Sequence, residues 1–74
     1  MIKTINDLKP GEYGKIKGLS GDQNYMRRFM EMGFIPGTLV FLQKKAPFGG
    51  PLKINIKNYN LAIRREDANM IYVE

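Results

Sequence analysis

From Leu52 to Lys57 the chain alternates strictly, with Leu52, Ile54 and Ile56 apolar and Lys53, Asn55 and Lys57 polar. A period of two marks a half-buried strand and predicts the first three side chains inward. Thr38 to Lys45 reads as another strand, with Val40 and Leu42 on one face and Leu39, Phe41 and Gln43 on the other. Tyr13 to Leu19 is expected as the first strand, with Ile16 and Leu19 in the core. Their spacing of three breaks alternation, and Gly18 would permit a bulge there. Leu61 to Arg64 and Met70 to Val73 complete five strands, with Leu61, Ile63, Ile71 and Val73 inward. Asn58-Tyr59-Asn60 is read as a short hairpin connection, because Asn tolerates positive φ. Arg65 to Ala68 reads as one helical turn, and Ala46 to Pro51 as a loop. Ile5 to Glu12 is expected as a turn of helix or an extended arm entering a Pro10-Gly11 turn.

The period changes between Gln23 and Met32. Met26, Phe29 and Met30 fall at i, i+3 and i+4, flanked by Tyr25 and Met32, while Arg27, Arg28 and Glu31 lie toward the other side. That spacing predicts a helix whose Met-Phe stripe covers the sheet. Asp22 suits its N-cap by side-chain acceptance and by charge. Gly33 suits the left-handed position past its end, and Phe34 can pack back on Phe29. Ile35-Pro36-Gly37-Thr38 fits a type II turn, with Pro36 fixing φ at the second position and Gly37 supplying φ > 0 at the third.

Five short strands with tight turns predict a mainly β fold, a small barrel with one α-helix between strands one and two. Seventy-four residues allow one domain, residues 1–74, burying only about 60% of its unfolded surface. No internal repeat or linker divides it.

Composition narrows the chemistry. The chain has no cysteine, which rules out disulfides, thiolate metal sites and cysteine nucleophiles. It has no histidine, the commonest general base and transition-metal ligand. No apolar run approaches the ~20 residues of a membrane span, and no signal-peptide stretch is seen at the start. These readings predict an intracellular, soluble, non-enzymatic protein with no cofactor, no metal site and no direct membrane insertion. The net charge of +5 can attract nucleic acid, an anionic membrane face or an acidic protein partner, while basic residues spread along the chain equally suit a solvated surface that blocks edge pairing. No Gly-x-x-x-x-Gly-Lys-Ser/Thr phosphate loop is present.

Five segments in order resemble the FeoA family, ferrous iron transport protein A. They are Asp7-Leu8-Lys9-Pro10-Gly11-Glu12, Leu19-Ser20-Gly21-Asp22, Arg27 to Thr38, Ala46-Pro47-Phe48-Gly49-Gly50-Pro51, and Leu61 to Ala68. The third matches the signature Arg-Leu-x-x-Met-Gly-Leu-x-Pro-Gly. The resemblance implies an SH3-like β-barrel in a small cytoplasmic accessory protein of the bacterial Fe(II) transport system. It implies as partner the membrane Fe(II) transporter with its cytosolic G-protein domain. The same domain type also closes metal-dependent transcriptional repressors, but 74 residues leave no room for their other domains.

The residues expected to meet a partner are Leu39 and Phe41, opposite the core face of their strand, and Pro47 and Phe48 on the loop. An exposed aromatic on a rigid loop is a natural anchor; the alternative is that Phe48 folds over Leu39 or Phe41. Such a patch could also support self-association. Arg27 and Arg28, with Arg64 and Arg65, are candidates for an arginine finger supplied to a GTPase; otherwise Arg27 and Arg28 are helix-surface charges and Arg64 supports the barrel rim. Glu66 and Asp67 are read as solvated beside Arg64 and Arg65. A nucleic-acid-binding β module is the competing class, with Tyr59 beside Lys57 and Phe41 near Lys44 and Lys45, but aromatics and bases are sparsely interleaved. Nucleic acid is therefore the less favoured partner.

Overall fold

The computed structural model describes residues 3–74. Strand β1 (Lys3–Thr4) runs into a 3-10 turn at Ile5–Asp7. There follow β2 (Tyr13–Leu19), α1 (Gln23–Glu31), β3 (Leu39–Lys45), β4 (Leu52–Ile56), β5 (Tyr59–Ile63), α2 (Arg65–Ala68) and β6 (Ile71–Val73). The sheet order is β1-β6-β2-β3-β4-β5, with antiparallel pairs throughout. The five expected strands are present, and the two-residue β1 adds a sixth. It is too short to carry a periodic signal, and β6 holds it through Lys3 opposite Val73.

The sheet curls because β2 serves two neighbours. Tyr13 to Lys15 pair with β3, while Ile16, Gly18 and Leu19 pair with β6. The register shifts between Ile16 and Gly18, where the spacing of three predicted a bulge. That extra residue returns Leu19 to the inner side, where it packs on the core half-buried. A second shift, between Leu42 and Lys44, leaves Gln43 outside the β3–β4 ladder.

Val40, Leu42, Leu52, Ile54, Ile56, Ile63, Ile71 and Val73 supply the barrel interior. Ile5 and Leu8 close one end of it from the segment before β2. Asp7 fixes that segment by accepting from the Thr4 amide (2.8 Å), while the Lys9-to-Glu12 turn closes with a Glu12 amide to Lys9 carbonyl bond of 2.9 Å.

Helix α1 is capped as expected: Asp22 Oδ1 accepts from the Tyr25 amide at 2.8 Å. Its exit also follows the sequence. Gly33 has φ +111°, and the Phe34 amide donates to the Phe29 carbonyl (3.1 Å). The Phe34 ring, fully buried, meets Phe29 edge-on at 5.5 Å. Gly37, at φ +94°, completes the turn closed by the Thr38 amide on the Ile35 carbonyl at 3.0 Å.

Two expectations are corrected. The Met-Phe stripe is not a core face: Phe29 is buried, but Met26 is only half-buried and Met30 and Met32 are exposed. Phe34, arriving from beyond the helix, is fully buried and packs on Phe29 in their stead. The β4–β5 hairpin turns at Lys57-Asn58, not at 58–60. Both residues have positive φ (50° and 68°), the pattern of a type I′ turn, and Tyr59 already pairs with Ile56.

Replacing Gly33 with alanine forces a side chain into a conformation that costs about 1–3 kcal/mol. The urea midpoint of Gly33→Ala should fall accordingly. Gly18→Ala should leave the midpoint nearly unchanged, since Gly18 has ordinary φ and open space around its Cβ position; equal midpoints for the two variants would refute this account of the helix exit.

Candidate functional site

The loop after β3 is held from three sides. The Ala46 amide donates to the Pro51 carbonyl (3.0 Å), which closes its neck, and the Gly50 amide donates to the Pro47 carbonyl (3.1 Å). Arg65, at the start of α2, donates through Nε to the Gly50 carbonyl and through an Nη to the Ala46 carbonyl, both at 2.9 Å. The planar guanidinium suits this double contact, since its donors form a rigid fork.

Phe48 stands at the tip of this fixed loop. Its side chain is fully solvent-exposed at 103% of the reference area, and it does not fold over Leu39 or Phe41. Its φ is +58°, and that of Gly49 is +74°. Left-handed backbone is rare for a bulky residue, and complete exposure of a phenyl ring gains nothing from burial. Both features persist only because the tethers around the loop determine its course. Beside the tip lies a hollow of about 310 Å³, lined by Lys44, Pro47, Pro51, Leu52, Lys53 and Ala62 among others.

Leu39 and Phe41 are where alternation placed them, on the outer face of β3, but they form a separate surface. Tyr13, opposite Phe41 in the ladder, packs on it with ring centroids 4.7 Å apart, and Leu39 is 56% exposed beside this pair. Leu39 and Lys45 are six residues apart on β3, which spans roughly 20 Å. The two halves of the expected surface thus sit at opposite ends of one strand.

Arg27 and Arg28 are exposed on α1. Arg27 lines a shallow depression with Met26 and Met30 on the outer face of the helix. Arg28 lies near a bond that ties α1 to α2: the Tyr25 hydroxyl donates to Asp67 Oδ1 at 2.6 Å. Burial first, then the bond to Asp67 and its charge, push the Tyr25 phenol up to about 12, against the pull of Arg28. Asp67 was expected to be solvated; it instead anchors the helix. Arg65, a finger candidate by sequence, is the loop's tether. Neither role has a local sequence signal, because both partners lie far along the chain. Lys44, Lys53 and Ala62 were also missed as a unit.

Among the described residues no group of three His, Asp, Glu or Cys could hold a metal ion. No helix among them is long and apolar enough to cross a membrane.

A curled antiparallel sheet with its helix between the first long strand and the meander is the arrangement of an SH3-like domain. The FeoA domain model matches residues 3–74, and the chain belongs to the FeoA family, which is associated with ferrous iron transport. It is 34% identical over 70 residues to an Fe(2+) transport protein A/Fe(2+) transporter FeoB fusion protein of Porphyromonas gingivalis; the match takes in 95% of this chain and 8% of the fusion protein's length. The solution structure of a FeoA-like protein from Clostridium acetobutylicum superimposes with a TM-score of 0.87 at 29% identity, covering 99% of this chain and 85% of that one. Zinc-complexed FeoA of Stenotrophomonas maltophilia, described as a prokaryotic SH3 domain protein, gives 0.83 at 24% identity and covers 96% and 88%.

Two outcomes test the tethers. In an ultraviolet titration, one phenolate should appear only near pH 12 and be missing from Tyr25→Phe. Because the folded-state value is raised, the stabilisation is complete below pH 10 and is lost as pH rises through about 12; a Tyr25→Phe titration curve that still contains the late step would refute the assignment. Arg65→Ala should lower stability by about 1–3 kcal/mol, with amide-exchange protection lost first at Ala46 and Gly50.

Proposed function

We propose that this chain is a cytoplasmic accessory protein of Fe(II) transport that acts by binding the membrane transporter at its cytosolic G-protein domain. The observation that carries the reading is the relative in which transport protein A and transporter FeoB are one polypeptide. Covalent union of two proteins in one organism favours physical association of their counterparts elsewhere. The surface chemistry agrees. The chain offers exposed apolar groups at Phe48, Leu39 and Tyr13, a positive net charge, and neither His nor Cys. That inventory suits recognition rather than bond-making.

Among the arginines, Arg65 is already engaged within the chain, which removes it from the candidates for a finger. Arg27, Arg28 and Arg64 are exposed and remain candidates for contacts to the partner. The Pro47-Phe48 tip is the stronger anchor, because it is rigid before binding and loses little freedom on contact.

Calorimetry of the full chain against the transporter's G domain, in the nucleotide-free, GDP and GTP-analogue states, tests this. Saturable binding is expected in at least one state, weakened roughly tenfold by Phe48→Ala. Absence of heat in all three states would remove the G domain as partner. Single-stranded DNA at low salt is the competing ligand, since phosphate contacts are strongest there.

A further inference from the structure

The hollow beside Phe48 has a composition that specifies what it would accept. Its floor is a row across three strands: Lys44 stands opposite Lys53, and Lys53 stands opposite Ala62. Ala62 is the small member, and its short side chain is what leaves the space. Pro47 and Pro51 form the apolar wall, and no carboxylate lines the hollow. Like charges placed directly across a ladder repel. Lys45, the next residue, has its ammonium bound to the Asn6 carbonyl at 2.8 Å, whereas Lys44 and Lys53 make no side-chain hydrogen bond among the described residues. Two ammonium groups with no partner among the described residues thus stand on the β3–β4 side of an apolar hollow, whose wall at Pro47 adjoins the exposed Phe48.

We propose that this hollow is a docking site for an acidic segment of a protein partner. An apolar side chain of the segment sits over Ala62 against the wall of Pro47 and Pro51. Carboxylates of the segment on its β4 and β3 side meet Lys53 and Lys44, and relieve their mutual repulsion. The site is open along the Ala62 side, because β5 is the last strand of the sheet. A second copy of this chain is a poor occupant, since it would bring the same two lysines and a net charge of +5 against their like. The proposal rests on the adaptor reading and deepens it by naming the chemistry of the bound segment.

The test uses the full chain, labelled with nitrogen-15, and a synthetic peptide of glutamates around one central leucine. Amide shifts should centre on Lys44 to Lys53 and Ala62, and the affinity should fall as salt rises. Exchanging the leucine for glycine, or the glutamates for glutamine, should each weaken binding roughly tenfold or more. Ala62→Leu fills the hollow and Lys53→Glu reverses its charge; both should abolish the shifts while the spectrum stays dispersed. Shifts spread evenly over all lysines, or centred on Leu39 and Phe41, would overturn the site. So would equal affinity for the leucine and glycine peptides, or concentration-dependent dimerisation that occupies the hollow without peptide. Peptide failure alongside G-domain binding would remove this site and leave the adaptor standing. Peptide binding without G-domain binding would keep the site and reassign its partner.

Discussion

Helix α1 reaches the barrel through a line of three aromatic rings. Tyr25 meets Phe29 in a tilted contact at 4.9 Å, Phe29 meets Phe34 at 5.5 Å, and the Tyr25 hydroxyl ends the line on Asp67 of α2. A nine-residue helix cannot hold its shape alone in water, so its existence depends on this contact. Aromatic rings suit the task because each buries a large area from few positions and prefers tilted or edge-on neighbours. The course of the chain on either side follows from it. Asp22 must cap the helix where the loop from β2 delivers it, and Gly33 must reverse the chain so that Phe34 can complete the line.

One consequence is a division of labour on the surface. With three rings carrying the helix, its methionines are not needed for packing and stay at the solvent boundary. The outer faces of β2 and β3 hold the Tyr13-Phe41 pair at one end, and the loop after β3 holds Phe48 near the other. Next to the pair, Gln43 and Asn55 both donate side-chain hydrogen bonds to the Asn60 Oδ1, a polar strip across β3, β4 and β5. The exposed pair thus borders polar ground, which keeps its patch small.

Strand positions were legible because alternation is a local signal, and Leu52 to Lys57 states it without ambiguity. The cap at Asp22, the reversal at Gly33 and the turn at Gly37 were legible because each depends on one residue's special chemistry. The hairpin was misplaced because Asn at both 58 and 60 satisfies the same preference. A connection at 58–60 would set Ile56 opposite Ala62, an inward residue against an outward one; a turn at Lys57-Asn58 avoids this. That slip also hid the Lys44-Lys53-Ala62 row, which exists only in the correct register. The helix stripe misled because periodicity tells which residues share a face, not which of them a neighbour will reach. The tethers of Arg65 and Asp67 join positions 15 to 42 residues apart, and no local pattern reports them.

The pairing of β1 with β6 places Lys3 directly across from Val73. Residues so opposed lie about 4.5–5.5 Å apart. A tether joined at either of these strands therefore departs from the same spot on the barrel, and the order of two fused modules ceases to matter geometrically. Short flexible tethers raise the effective concentration of a neighbour to the order of millimolar. At such concentrations even a contact made by a single loop reaches occupancy without high intrinsic affinity.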